Sequence, residues 1–273
     1  MSFSTLMVQL DLDRPNDKRL QVAMELAARF DSRAIGIAAG DIQPLYFLDG
    51  QAAQDLLEKD RAGLSAQMAK CEEQFRHAFR TRTDKIEWRS SLEWPANFIV
   101  REARAADLIV TGSKPRGVDP LRQTEPGELA LRAGRPVLSV PDEIEYLKFQ
   151  SAVVAWKDTR EARRAVCDAL PLLHQVKEVM VVELVDSSTE QAAAKARVDD
   201  VAKWLGRRGI NTASITPKAM IGVSDQLGII AQDEGANLIV AGAYGHSRLQ
   251  QWIFGAVTRS LLSQTKCCVL LSH

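Results

Sequence analysis

The residues of this chain with the clearest chemical potential lie near its C-terminal end, around three glycines. Gly242 and Gly245 follow the apolar run at 238–240, and Gly255 comes after a further loop. Such a β-branched, apolar run is typical of a buried parallel strand. Where a parallel strand leads into a helix, glycines let backbone N–H groups approach a ligand, and the helix N-terminus adds partial positive charge. The pattern therefore predicts a phosphate-binding loop.

His246 follows Gly245 in this loop and is the natural candidate for acid–base catalysis, because its side chain titrates near neutral pH. No second residue stands at a spacing that would complete a catalytic triad or a metal site. The four cysteines have no paired CxxC spacing and are predicted to be reduced packing residues: Cys71, Cys167, Cys267 and Cys268. The loop therefore favours ligand binding over catalysis.

Composition excludes several classes of protein. Apolar residues make up 46% of the 273 residues and charged residues 26%, as in ordinary soluble domains. The 35 basic and 35 acidic residues balance, which argues against nucleic-acid binding through bulk charge. We find neither an apolar stretch long enough to span a membrane nor a secretion signal, so we expect no membrane partner and a cytoplasmic location.

An internal repeat indicates the domain organisation. The segment FIVREARAADLIVTG at 98–112 aligns without gaps with GIIAQDEGANLIVAG at 228–242. Such self-similarity is the signature of duplicated units. It predicts two domains of one design, residues 1–145 and residues 150–273.

Each half alternates strand and helix patterns in the order β-α-β-α-β-α-β-α-β, which predicts an α/β fold. Strands separated by helices form a parallel sheet with helices on both faces. In the first half we place strands at 6–12, 34–39, 86–92, 107–112 and 136–140. In the second half we place them at 152–156, 178–185, 212–220, 237–242 and 268–272. The predicted architecture is therefore two tandem domains, each with a five-stranded parallel sheet.

The spacing Gly242-x2-Gly245-x9-Gly255 resembles the nucleotide-binding motif of the universal stress protein family, and the second half matches that family's layout over its whole length. The resemblance implies an adenine nucleotide alpha hydrolase-like, Rossmann-type fold and ATP as the ligand. In the family, the last glycine is usually followed by Ser or Thr, an apolar residue, and Ser or Thr again. Ala256 stands where the first hydroxyl would be, whereas Thr258 keeps the second.

The resemblance also implies an acidic residue at the end of each half's first strand, in contact with the adenosine. Asp11 matches that residue in the first half, but Lys157 takes its place in the second, with Asp158 next to it. Asp158 or Thr159 also suits the N-cap of the following helix. The predicted nucleotide-binding residues are Trp156, Lys157, Asp158, Leu184, Gly242, Gly245, His246, Gly255, Ala256, Val257 and Thr258.

The corresponding loop of the first half departs from the family pattern. Pro115 occupies the position of Gly245, and Glu125 that of Gly255. Proline removes a backbone donor and glutamate adds negative charge where phosphates would rest. We therefore expect the first half to bind no nucleotide.

Taken with the resemblance, the sequence predicts a cytoplasmic, non-enzymatic stress-response protein with at most weak ATP binding in its second half. A sensor or scaffold that holds a metabolite or lipid in the same crevice is the alternative, and a nucleotide-processing enzyme is a third. Family domains pair through their last strands, here 137–140 and 268–271. These strands are expected to form an intramolecular pseudo-dimer, with a homodimer left open.

Overall fold

The computed structural model of the chain describes residues 2–42, 51–113, 122–243 and 256–273. The first half contains β1 Thr5–Gln9, α1 Asp17–Phe30, β2 Arg33–Ala39, α2 Gln51–Ala78, β3 Ile86–Ser91, α3 Pro95–Glu102, β4 Leu108–Gly112, α4 Pro126–Arg132 and β5 Val137–Val140. The second half contains β6 Ser151–Ala155, α5 Arg160–Leu173, β7 Glu178–Val182, α6 Gln191–Gly206, β8 Thr212–Ile215, α7 Val223–Asp233, β9 Leu238–Gly242, α8 Ala256–Gln264 and β10 Cys268–Ser272.

The two halves repeat one topology. The strands follow the order β3-β2-β1-β4-β5 in the first half and β8-β7-β6-β9-β10 in the second, and neighbours within each half are parallel. The register is shared as well, since Val8 pairs with Val110 as Val154 pairs with Val240. Gly112 and Gly242 therefore occupy equivalent positions at the ends of β4 and β9. The predicted α/β fold is confirmed.

One antiparallel contact joins the halves into a single ten-stranded sheet. Strand β10 pairs with β5, with Leu270 opposite Leu138 and Val269 opposite Ser139. The strands involved are those that the sequence proposed as last-strand partners, and each covers the edge of the other. The division into residues 1–145 and 150–273 stays a prediction, because the sheet continues across this boundary.

Helices cover both faces of the sheet and bury two apolar cores. Helices α1, α2, α5 and α6 pack on one face around residues such as Leu26, Phe75 and Leu172. Helices α3, α4, α7 and α8 pack on the opposite face around Ile99 and Leu261. Both cores run through both halves, so burial of apolar area, worth roughly 25 cal/mol per Å2, stabilises the strand junction as well as each half.

Two strands of the second half end earlier than the apolar pattern suggests. Strand β7 ends at Val182 rather than Val185, and β8 ends at Ile215 rather than Met220. Pro217 lacks the N–H that a continued ladder would need, and beyond it only the isolated bridge between Val185 and Lys218 remains.

We expect the β5–β10 junction to be a major source of stability. Leu138 and Leu270 are fully buried partners, so Leu270→Ala should lower the free energy of unfolding by about 2–5 kcal/mol. Because the two leucines are neighbours, the double variant with Leu138→Ala should deviate from additivity by about 0.5–3 kcal/mol. Urea unfolding measures both quantities.

Leu57→Ala provides the matched control, because Leu57 is exposed on α2 and its truncation should change stability by only about 0.5 kcal/mol. Equal losses for Leu57→Ala and Leu270→Ala would contradict the importance of the junction.

Candidate functional site

The strand order of the second half reverses between β6 and β9, and we refer to the region beyond the carboxyl ends of these two strands as its crevice. Ligands of open α/β sheets bind beyond the carboxyl ends of the strands at such a point. The chain leaves β6 through Lys157 and Asp158, β9 ends at Gly242, and Val257 and Thr258 lie in the first turn of α8. The structure thus brings these parts of the predicted site to the same end of the sheet.

Gly242 is required by close packing between a strand and a helix. A Cβ atom at this position would lie 2.6 Å from the backbone nitrogen of Ala162 and 2.7 Å from the carbonyl carbon of Glu161. Both atoms belong to the first turn of α5. The glycine therefore brings the N-terminal end of α5 against the end of β9, which is how α/β folds place a helix N-terminus at a ligand crevice.

Thr159 is the N-cap of α5. Its hydroxyl oxygen accepts a hydrogen bond of 3.3 Å from the backbone N–H of Ala162, which satisfies one of the free donors of the first turn. Asp158, the alternative cap, is exposed and instead forms a 2.5 Å ion pair with Arg163. Lys157 is exposed as well. Its side chain is therefore accessible to a ligand at the rim of the crevice.

The structure does not place Trp156 and Leu184 on the same side of the sheet. Trp156 packs against the core beneath α5 and α6, whereas Leu184 packs against the core beneath α7 and α8. Side chains alternate between faces along a strand, and Val154 and Trp156 accordingly share one face. The Trp156 side chain therefore lies apart from Leu184 and α8.

The remaining predicted residues belong to the loop and to α8. Gly245, His246 and Gly255 lie outside the described residues, as does the side chain of Ala256. Val257 is 43% exposed and Thr258 is 6% exposed. Thr258 is thus available to a ligand only through a narrow approach.

Two charged residues that the sequence analysis did not select stand beside the crevice. Glu161, in the first turn of α5, is buried next to Gly242 and accepts a 2.5 Å hydrogen bond from Arg160. Burial opposes its ionisation, but Arg160 and its own backbone N–H hold the pKa of this carboxyl below its usual range. Arg160 also contacts His273, whose other ring nitrogen lies 3.0 Å from the carbonyl oxygen of Ala243.

A buried ion pair fills the equivalent crevice of the first half, between β1 and β4. Arg19 is 3% exposed and donates hydrogen bonds to the backbone oxygen of Gln9 at 2.5 Å and to Asp11 at 2.6 Å. Gln9 donates to Asp11 at 2.7 Å, and Arg14 lies 3.6 Å from the same carboxylate. Asp11, which the resemblance assigned to an adenosine contact, is therefore fully engaged by its own half.

Arg19 also occupies the space above Gly112, where its guanidinium stands in the place of a Cβ atom. Helices α1 and α5 have the same length, and the third residue is Arg19 in one and Ala162 in the other. At this helix position one half thus has a guanidinium group, whereas the other has a methyl group beside the buried carboxylate of Glu161.

The phosphate-facing helix of the first half is also altered. Helix α4 begins at Pro126, directly after Glu125, just as α8 begins directly after Gly255. Proline contributes no N–H to the first turn. Pro115, the other substitution in this loop, lies outside the described residues. The N–H that Pro126 lacks and the negative charge of Glu125 both oppose binding of an anionic ligand at the start of α4.

Other chemistry finds no support in the part of the chain that the structure describes. No group of His, Cys, Asp or Glu side chains within it is arranged to hold a metal ion, and no helix within it is long and apolar enough to cross a membrane. All four cysteines are free, and burial raises the pKa of Cys71 to about 11. Cys71, Cys267 and Cys268 are buried, as predicted for packing residues, whereas the prediction is wrong for Cys167, which is exposed on α5.

Comparison with known proteins identifies the family that this arrangement resembles. The model of the universal stress protein family matches residues 148–273. A universal stress protein from Archaeoglobus fulgidus DSM 4304 superposes with a TM-score of 0.71 and 15% identity, covering 98% of this chain and 95% of its own.

A functionally unknown protein from Pseudomonas aeruginosa PAO1 superposes with a TM-score of 0.62 and 14% identity, covering 99% of this chain and 92% of its own. At these identities the structural matches support the fold of the whole chain. No curated protein matches the sequence.

The Gly242 contact predicts a selective effect of one methyl group. Gly242→Ala should lower the free energy of unfolding by about 1–3 kcal/mol, because the added carbon meets backbone rather than a flexible side chain. Gly228, which lies within α7, provides the control. The atom nearest to a Cβ added there would be 3.9 Å away, so Gly228→Ala should be neutral or stabilising by about 0.5–1 kcal/mol. Thermal or urea unfolding distinguishes the two, and equal effects would refute the close-packing role.

The Asp11–Arg19 pair predicts a pH-dependent contribution to stability. Burial raises the pKa of Asp11, but Arg19, Arg14 and Gln9 outweigh it and hold that pKa below its usual range. The carboxylate should therefore stabilise the fold fully above about pH 4, the pKa of an unfolded Asp, and lose this effect as pH falls through its lower folded pKa.

Asp11→Asn should cost about 3–5 kcal/mol near pH 7, and this difference from the wild type should shrink in acid. Asp31→Asn removes an exposed ion-pairing carboxylate and should cost far less. Urea unfolding across this pH range provides the measurement. If the loss of unfolding free energy in Asp11→Asn were the same at every pH, the role of the Asp11 charge would be contradicted.

Proposed function

We propose that this chain is a cytoplasmic, non-enzymatic stress-response protein that senses an adenine nucleotide through its second half. The match of the universal stress protein family model to residues 148–273 supports this proposal. ATP would bind weakly in the crevice between β6 and β9. The first half would act as a structural counterpart, with β5 and β10 forming an intramolecular pseudo-dimer.

The contrast between Arg19 and Ala162 supports this assignment of roles. In the first half, a guanidinium group and its buried carboxylate partner occupy the point where the strand order reverses. In the second half, the same helix position carries a methyl group, and the helix N-terminus approaches Gly242 directly. A ligand entering the second crevice therefore meets no buried guanidinium group at that helix position.

Weak affinity follows from the charges and the missing hydroxyl. Ala256 lacks the donor that the family motif supplies, and one hydrogen bond to a charged group is worth about 1.5–3 kcal/mol. Lys157 can attract phosphates but cannot accept hydrogen bonds from a ribose, whereas Glu161 adds a buried negative charge near Gly242. We therefore expect ATP affinity no better than the high micromolar range.

Catalysis is not part of the proposal. Phosphoryl transfer needs a group that orients or deprotonates the attacking nucleophile, together with a cation on the phosphates. His246 is the histidine of this loop, and the sequence supplies it with no partner at triad spacing. Binding without turnover suits a protein that signals occupancy of its site.

Restoring the missing hydroxyl tests the nucleotide site. Ala256→Ser should tighten Mg-ATP binding about tenfold or more, because it returns one donor to the start of α8. Titration calorimetry on the wild type and the variant measures the change. Ala196→Ser adds a hydroxyl to the exposed surface of α6 and should leave affinity unchanged.

Submicromolar wild-type affinity would show that the backbone and Thr258 already suffice, contradicting the weak-site proposal. No binding by either the wild type or Ala256→Ser would remove ATP as the ligand. In that case a metabolite or lipid that copurifies with the native protein, identified by native mass spectrometry, would take its place.

A further inference from the structure

We propose that the second half carries a separate small-molecule site between helices α5 and α6, suited to an aromatic amine. The site is a cavity of about 460 Å3. This volume falls within the range of ordinary ligand pockets, about 300–1,000 Å3. It lies on the α5 and α6 face of the sheet, whereas Leu184 and α8 of the nucleotide crevice lie on the other face.

The cavity exists because the two halves pack their second helices differently. In the first half, α2 reaches α1 and the sheet with large buried side chains, among them Leu64, Met68 and Phe75. In the second half, the buried residues of α6 are Ala194, Val198 and Leu205. These smaller residues fill less of the space beside α5 than the large residues of α2 fill beside α1, which leaves room for the groove.

Apolar and aromatic groups form much of the wall. Trp156 and Trp204 line the cavity together with Val166 and Val201. The indole N–H of Trp156 is buried and has no hydrogen-bond partner among the described residues. Two tryptophans favour a flat ring, because indole offers both area and a quadrupole that attracts cations.

The charged residues at the rim of the cavity determine which charged group the ligand carries beside its aromatic ring. Arg163 is neutralised by Asp158 at 2.5 Å, and Arg197 donates three hydrogen bonds to Glu183, the shortest at 2.5 Å. These pairs leave Asp200, which is exposed and has no ion-pair partner in the part of the chain that the structure describes.

Two features therefore favour a positively charged group on the ligand. The carboxylate of Asp200 can pair with an amine at the rim, and a Trp204 ring can hold the same cation against its face. Arg208 already stacks on Trp204 at 3.6 Å without lining the cavity, which shows that this ring accepts a cation in the structure.

Cys167 provides a direct reporter of occupancy. It lines the cavity and is exposed, whereas Cys71, Cys267 and Cys268 are buried. A maleimide should therefore modify Cys167 first in the folded protein, and intact-mass spectrometry gives the rate. Phenethylamine, which combines a phenyl ring with a protonated amine, should slow this reaction in a saturable manner.

Comparison of the wild-type chain with three variants distinguishes a specific binding site from nonspecific binding at the surface. Asp200→Asn should weaken protection by phenethylamine about fivefold, the effect of one partly screened charge pair. Trp204→Ala should weaken it about tenfold by removing the ring contact. Asp199→Asn is the matched control, because Asp199 is paired with Lys195 and Ser214 and does not line the cavity.

Phenylacetate, with the same ring and the opposite charge, should protect poorly, and Mg-ATP should not protect at all. The proposal is overturned by absence of saturable protection, by equal protection from phenylacetate, or by an unchanged Asp200→Asn variant. Protection by Mg-ATP without protection by phenethylamine would assign the cavity to the nucleotide site. If Trp204→Ala does not fold, the comparison of Asp200→Asn with its control Asp199→Asn still tests the proposal.

Discussion

The antiparallel pairing of β5 with β10 is the interaction on which the rest of this structure depends. A strand at the edge of a sheet exposes unpaired backbone groups, and each half has such an edge at its fifth strand. Pairing the two edges satisfies these groups within one chain. It also continues both apolar cores across the boundary, so the helices of one half help to bury residues of the other.

The same scaffold supports different chemistry in its two halves. In both halves the first turn of a helix reaches the glycine that ends the fourth strand, through the Arg19 side chain at Gly112 and through the α5 backbone at Gly242. In the first half Arg19 converts that crevice into a buried ion pair, which stabilises the fold only while Asp11 remains its partner. In the second half the equivalent helix position is Ala162, so no guanidinium group lies against the end of β9 there.

Much of the fold could be predicted from the sequence because its signals are local. Apolar runs between helical patterns located the strands, and the repeat between 98–112 and 228–242 indicated the shared topology. Strand ends were less certain, since Pro217 stops a ladder that apolar residues would otherwise continue. The candidate site was harder, because Arg19 and Glu161 reach the crevices through packing between elements distant in sequence. Trp156 was a different case, since strand alternation from Val154 already indicated the face on which its side chain lies.

The antiparallel orientation of the β5–β10 contact sets the directions in which the two crevices face. Because β5 and β10 run in opposite directions, the strands of the two halves also point in opposite directions. The carboxyl ends of β1 and β4 therefore lie at one end of the strands, and those of β6 and β9 lie at the other. The two crevices therefore open in opposite directions, and one ligand cannot bridge them. A molecule that contacts the carboxyl ends of β6 and β9 must therefore approach from the side opposite to Asp11 and Arg19.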